Sequence, residues 1–358
     1  MAQVSCRTVF VCLGVLSVVC FAPANASAQD PPLAITADVL FYGDNSEFAN
    51  QFRRGETLLG NAGRVVLNAG IGNKATLVGG VFGDRRFGAD SFDLVRPVFA
   101  LNFDAGRSQF TFGTLNLSRQ PAFGPDRGGP HGLLPPIQRD TMLLTRPYEA
   151  GLQWTHKTAA ISQEFWINWQ RLNTPAAREA FDTGAVGRVD LNRTVALAYQ
   201  SHIVHHGGQL YSAGVVSDSW VAAPGVVLTR TMNDRIGTLE TYGLLSRYVP
   251  DRERLDRATT GAALFARGSI EDGPWRAHLV VWRGNDYIKE EGDPNYGGLR
   301  RNGSRFRKVR DYAELGITRV GNPVPELQLE GSARLHRVES HYEYSYRILG
   351  RVTLRWPL

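Results

Sequence analysis

The sequence predicts an all-β transmembrane barrel of sixteen antiparallel strands, within a range of fourteen to eighteen. Three observations carry that prediction: a two-faced final strand, an export signal with no later helical span, and strand-sized runs joined by alternately short and long connections. In the final stretch, Tyr342, Tyr344, Tyr346, Ile348, Gly350, Val352, Leu354, Trp356 and Leu358 form an apolar, aromatic set. The residues between them are mostly polar and include Arg347, Arg351 and Arg355. Strand side chains alternate with a period of two, so the segment reads as a strand with one lipid face and one lumen face. Tyr346 to Trp356 is ten residues, or roughly 33 Å of strand. Tilted by about 40°, that gives roughly 25 Å of height, the apolar band of an outer-membrane barrel. Tyr342, Tyr344, Tyr346 and Trp356 stand where the aromatic girdles belong.

The N-terminus reads as a cleaved secretory signal over residues 1–28. Arg7 precedes an apolar run from Val9 to Ala22, and Ala26-Ser27-Ala28 forms the cleavage site. Residues 29–358 then form a single barrel domain, with no linker or change of composition. All three cysteines (Cys6, Cys12, Cys20) fall in the removed segment, so the mature chain has no disulfide and no haem-attachment thiol. A closed ladder of strand hydrogen bonds is a sufficient source of stability without them. No run of eighteen apolar residues follows Gln29, which excludes helical spans. The chain carries 40 basic and 34 acidic residues, a net of +6. No basic block with interleaved aromatics accompanies that charge, so no nucleic-acid partner is expected.

In chain order the predicted strands are Leu33–Gly43, Gly63–Ile71, Ala75–Phe82, Phe92–Asp104, Gln109–Ser118, Tyr148–His156, Ala159–Gln170 and Asn192–Ile203. Then come Gln209–Trp220, Gly225–Thr231, Thr238–Val249, Ala258–Glu271, Trp275–Asn285, Asp311–Val320, Glu326–Val338 and Tyr342–Trp356. Alternation is clearest late in the chain, where Leu327, Leu329, Ala333 and Leu335 oppose Gln328, Glu330, Ser332, Arg334 and His336. The short connections are Gly72-Asn73, Asp104-Ala105-Gly106, Lys157-Thr158, His205–Gly208, Met232–Arg235, Asp272-Gly273 and Gly321–Pro323, all rich in turn residues. With strand one starting in the periplasm, all of them fall on the periplasmic side, as a barrel with extended outer loops requires. Ala222–Gly225 reads either as an outer connection or as a bend within one strand.

The long outer loops are residues 119–147, 172–190 and 287–308. The first follows the fifth strand and holds Arg119, Asp126, Arg127, Arg139 and Asp140 among many Gly and Pro residues. Here the chain resembles the general bacterial porins, in architecture over the whole mature chain and without a family motif. In that family the third outer loop folds inward and narrows the pore, its acids facing arginines on the wall. The resemblance implies a constriction formed by Arg119, Asp126, Arg127, Arg139 and Asp140, facing a lumen wall of Arg276, Arg334, Arg347, Arg351 and Arg355. The bland alternatives are a loop packed on the rim, and arginines that merely keep a polar interior wet.

Other clusters point to less. His202, His205 and His206 have metal-compatible spacing but sit beside a predicted tight turn, so they read as solvated turn histidines, and no metal or cofactor is expected. Ser201-His202 and Ser340-His341 are sequence neighbours, which on a strand point to opposite faces. No G-x-S-x-G elbow is present either, so no catalytic residue is assigned and the chain is expected not to be an enzyme. The expected function is passive diffusion of small hydrophilic solutes, because a barrel of this size leaves an aqueous channel. The alternatives are polymer export within a secretion system and a structural or adhesion barrel. Expected partners are outer-membrane lipid and lipopolysaccharide, the barrel assembly machinery during biogenesis, and further copies of the chain in a homo-oligomer.

Overall fold

A computed structural model describes residues 33–115, 130–306 and 309–358. The signal segment and Arg119, Asp126 and Arg127 lie outside the described residues. Sixteen strands form one closed antiparallel barrel in simple up-and-down order. They are β1 (Ala34–Glu47), β2 (Glu56–Ile71), β3 (Ala75–Arg86), β4 (Leu94–Ala105), β5 (Ser108–Thr114), β6 (Ala150–Lys157), β7 (Ile161–Arg171) and β8 (Glu179–Asp190). The second half comprises β9 (Val195–Gly207), β10 (Ser217–Met232), β11 (Arg235–Val249), β12 (Thr259–Asp272), β13 (Trp275–Asn285), β14 (Arg310–Val324), β15 (Leu327–Val338) and β16 (His341–Pro357). The β1–β16 pairing runs from Ala34↔Pro357 to Glu47↔Tyr344, so the ladder closes without an edge.

The strand count agrees with the sequence, but two local readings do not. Gln209–Trp220 and Gly225–Thr231 are not two strands: Ser217–Met232 runs continuously, and Ala222–Gly225 lies inside it. The stretch 172–190, expected as a loop, contains β8. Its inward residues Ala180, Asp182, Gly184, Val186 and Arg188 are small or polar, and only Phe181 is large on the outward side. The period-two contrast is therefore too faint to stand out. His205–Gly208 is corrected as well, because His205 and His206 lie in the outer end of β9, and the periplasmic turn is at 191–194.

Facing follows the predicted alternation. On β13 to β16, Leu279, Val281, Leu315, Ile317, Leu335 and Ile348 are exposed on the exterior. Tyr342, Tyr344 and Tyr346 lie exposed on the outer part of β16 and Trp356 at the short-turn end, while Glu343, Ser345, Arg347 and Leu349 between them are buried. Apolar side chains that would cost free energy in water thus form the lipid-facing coat.

The inside departs from a simple water-filled tube. Three outer connections, 48–55, 130–149 and 286–306, turn into the lumen and pack there. Phe52, Leu133, Leu134, Ile137, Tyr287 and Tyr296 form a core with the wall residues Trp166, Leu244, Phe265, Val280 and Trp282. The short helix α1 (Met142–Thr145) belongs to the same inward chain, with Met142 and Leu144 buried. The Arg310 guanidinium caps this core, 3.3 Å from the Phe52 ring centroid.

Candidate active site

Where the inward loop 130–149 meets the wall of β14 to β16, charge concentrates. Asp140 Oδ2 lies 3.0 Å from Arg347 Nη2 and 3.1 Å from Arg334 Nη1. Arg347 Nε also donates to Asp44 on β1 at 2.5 Å, and Arg53 pairs with Asp293 at 2.5 Å, tying 48–55 to 286–306. Burial pushes the Asp140 carboxyl up, but Arg347, Arg334 and Arg53 outweigh it and hold the group at about 2.

The same seam holds a relay of side chains from four adjacent strands, β13 to β16. Ser345 Oγ is 2.8 Å from His336 Nε2, and His336 Nδ1 is 2.7 Å from the Tyr312 hydroxyl. Tyr312 donates to Glu314 Oε2 at 2.5 Å, and that oxygen is also 3.3 Å from His336 Nδ1. His278 Nε2 lies 2.8 Å from the other Glu314 oxygen. Gly316 leaves room for that imidazole, since a Cβ there would come within 2.1 Å of His278 Cε1. The Phe48 ring meets His336 edge-on at 4.9 Å. All five polar residues are inward-facing and buried. Hydroxyl, imidazole, phenol and carboxylate thus follow one another in a single hydrogen-bonded chain.

Other histidines hold the inward loop or the wall. His131 at φ 61 stacks on Trp166 at 3.9 Å and sits between Glu149 (2.7 Å) and Glu164 (2.5 Å). His202 and Trp166 both reach Asp182 on β8. His205 pairs with Asp218 at 2.8 Å and His206 with Glu290 at 2.6 Å, so these are not the solvated turn histidines the sequence suggested. A second serine–histidine pair, Ser108 and His156 at 2.9 Å, spans β5 and β6 near the short-turn end, with Trp154 stacked on His156.

Below the inward loop, toward the short turns, the lumen opens into a cavity of about 750 Å³. Gln153, Glu164, Arg188, Glu240, Arg267 and Arg276 are among its lining, with His131 and Gly132 also on its surface.

The predicted site residues divide. Asp140, Arg334 and Arg347 are brought together. Arg139 donates its backbone N–H to the Glu291 carbonyl at 2.9 Å, its side chain half-buried. Arg276 pairs with Glu271 at 2.6 Å, and Arg351 pairs with Asp38. Arg355 is exposed near the short-turn end. Sequence adjacency missed Ser345 with His336 and Ser108 with His156, because each pair meets across a strand boundary. Only the alternation and register of β15 with β16 could have found the first of them.

Comparison with protein families matches residues 25–358 to the family described as lipid A 3'-O-deacylase-type. The chain belongs to that family. Its description is that of an enzyme family, which overturns the expectation of a non-enzyme. That expectation tested serines and histidines only as sequence neighbours, whereas β-strands assemble sites across the ladder. Comparison with curated proteins finds no match. Among solved structures the chain is similar to Pseudomonas aeruginosa OccK8 (OprE), with a TM-score of 0.55, 11% identity, and coverage of 90% of this chain and 98% of that one. It is also similar to a loop L8 deletion mutant of Vibrio cholerae OmpT (TM-score 0.56, 8% identity, 90% and 100% covered). A third is P. aeruginosa OccK1 (OpdK), with a TM-score of 0.52, 11% identity, and 90% and 99% covered. At these identities the likeness is one of fold: a porin-like outer-membrane barrel.

Proposed function

We propose that this family member is an outer-membrane hydrolase that cleaves an acyl ester of a lipid A-type glycolipid. The observation that carries the reading is the inward packing of 48–55, 130–149 and 286–306. These segments fill the outer part of the lumen with a core and buried ion pairs, so its charges serve a folded site more than a free passage. Family membership supplies the reaction class. The direct test incubates the purified, folded barrel with lipid A in mixed micelles and measures released fatty acid by mass spectrometry. Release of a 3'-linked chain is the expected outcome, and an intact substrate after prolonged incubation overturns the reading.

A second reading, passive diffusion of small hydrophilic solutes, is favoured by the hydrophilic cavity at the short-turn end. Under it, Asp140 facing Arg334 and Arg347 is a constriction. Deleting most of 119–147 then raises single-channel conductance in planar bilayers while the barrel stays folded. Unchanged conductance and ion selectivity remove this reading.

A further inference from the structure

We propose that the outer rim over β11 to β15 is a docking surface for the phosphorylated sugar headgroup of an outer-leaflet glycolipid. The surface lies outside the lumen and needs no reaction, so it does not rest on the hydrolase reading.

The sequence concentrates charge in one connection. Leu299 to Arg310 holds six basic residues and no acidic one, of which Arg307 and Lys308 lie outside the described residues. The first part of this stretch forms a small hairpin, closed by the Leu299–Arg305 bridge, turned at Gly303 with φ 78, and exposed at residues 301–305. It lies across the mouth of the barrel. The Arg301 N–H donates to the Gln51 carbonyl at 2.9 Å, and Arg305 Nη2 donates to the Arg257 carbonyl at 2.5 Å. Arg54, three residues beyond Gln51, is exposed on the same side.

These arginines differ from others on the surface in their partners. Exposed arginines elsewhere face carboxylates: Arg235 with Asp272, Arg252 with Asp218 and Arg254 with Asp256. Arg300 is held by neutral oxygens, namely Gln51 Oε1 at 2.7 Å, Ser304 Oγ at 3.3 Å and the Arg305 carbonyl at 2.8 Å. Its guanidinium also lies 4.9 Å from the Phe306 ring centroid. Among the described residues, Arg54, Arg300, Arg301 and Arg305 form no ion pair with a carboxylate. Arg300 and Arg305 are thus fixed in place while their charge stays uncompensated. Guanidiniums meet phosphate oxygens in bidentate pairs, and several together suit an anion with more than one phosphate.

A second tier stands on the exterior, at the top of the apolar coat. On the outgoing strands β11, β13 and β15, an exposed apolar residue is followed two positions further out by an exposed arginine: Leu245 by Arg247, Val281 by Arg283 and Leu335 by Arg337. Two positions along a strand keep the same face. Of the three, Arg283 alone has a carboxylate within reach among the described residues, Asp311 at 3.6 Å. Tyr342 is the cross-strand neighbour of Arg337, so this tier stands at the aromatic girdle, where headgroups meet the barrel. A soluble polyanion would use the upper tier alone. An anion fixed to the membrane surface reaches both, so the occupant is a lipid headgroup.

The experiment titrates the purified, folded barrel in neutral detergent with bis-phosphorylated lipid A and weighs the retained intact lipid by native mass spectrometry. Gel mobility before and after boiling checks folding. Removing the phosphates from the lipid is expected to weaken binding about 10-fold or more. Arg300→Ala, Arg301→Ala and Arg305→Ala combined should weaken it to a similar degree, and so should Arg247→Gln with Arg337→Gln. Added salt should weaken binding by the unmodified protein. Arg235→Ala, at the opposite end of the barrel, should bind as the unmodified protein does. No retention of the phosphorylated lipid, equal retention of the dephosphorylated one, or full binding by the triple variant overturns the surface. Binding of the acyl-chain-less phosphosugar as tightly as the lipid, or unchanged lipid binding by the exterior pair of variants, makes the occupant a soluble polyanion and overturns the assignment to a lipid. If the triple variant fails to fold, Arg301→Ala decides in its place: weaker binding supports the surface and unchanged binding overturns it.

Discussion

Asp140 reaches 194 residues along the chain to Arg334, its Oδ2 3.1 Å from Nη1, and so fastens a loop to the far wall of the lumen. The same oxygen also takes Arg347 at 3.0 Å. Removing its charge leaves two buried guanidiniums undercompensated, a loss of about 3–5 kcal/mol for a buried pair. Asp140→Asn should therefore lower the temperature at which the unboiled gel band shifts. It should also expose the loop to trypsin at Arg139 and Arg146. Unchanged trypsin resistance would show that the apolar packing of Leu133, Leu134 and Ile137 holds the loop by itself.

His131 gives a pH dependence with a defined sign. Burial opposes its charge, but Glu149 and Glu164 outweigh burial and raise it from 6.5 to about 10. A raised value means the stabilising contribution is complete below about 6.5 and is lost as pH climbs through about 10. The loop's unfolding temperature should fall between those limits in the unmodified protein and vary much less in His131→Gln. Parallel pH profiles for the two proteins would refute the ion-pair account.

Gly316 is predicted to be intolerant for a steric reason. A methyl group there meets the His278 ring at 2.1 Å, and the ring then leaves Glu314. Gly316→Ala should cost about 1–3 kcal/mol as overpacking and lower the temperature at which the unboiled gel band shifts. Gly331→Ala on the outward side of β15, where no atom lies within 4 Å of the added carbon, is the control and should be near neutral.

Facing can be tested with one charge. Ile348 is 68% exposed on the lipid side near the middle of β16. Ile348→Arg should cost about 2–4 kcal/mol and impair assembly, while Thr353→Arg, at the lumen side of the short-turn end, should assemble normally. Equal yields of the two from purified outer membranes would place the register one residue out.

The barrel was legible in the sequence because lipid and lumen impose opposite demands on neighbouring residues, as Tyr346, Arg347 and Ile348 display. Where that contrast fades, the reading failed: β8 offers glycine and alanine on both faces, and Pro224 within β10 imitated a turn. The correct total arose because one strand was split and another overlooked. The porin resemblance had set Asp140 in a loop facing wall arginines, and the structure places it against Arg334 and Arg347. The sequence could not foresee Ser345 beside His336, since that contact depends on the offset between two strands, which the turn at 339–340 sets. The inward course of 286–306 was equally hidden, because Tyr287 and Tyr296 bury themselves only against walls built elsewhere in the chain.

The packed interior gives the molecule two optically distinct sets of indoles. Trp166 and Trp282 are sealed in the lumen, whereas Trp154, Trp169, Trp220, Trp275 and Trp356 face outward, Trp154, Trp275 and Trp356 toward the short-turn end and Trp169 and Trp220 toward the outer loops. Brominated acyl chains would darken only the outward set, and a water-borne quencher would brighten the contrast by sparing the inner pair. Any event that parts the lumen seam would then register as a change in Trp166 and Trp282 emission, with the outward indoles serving as an internal reference for lipid contact.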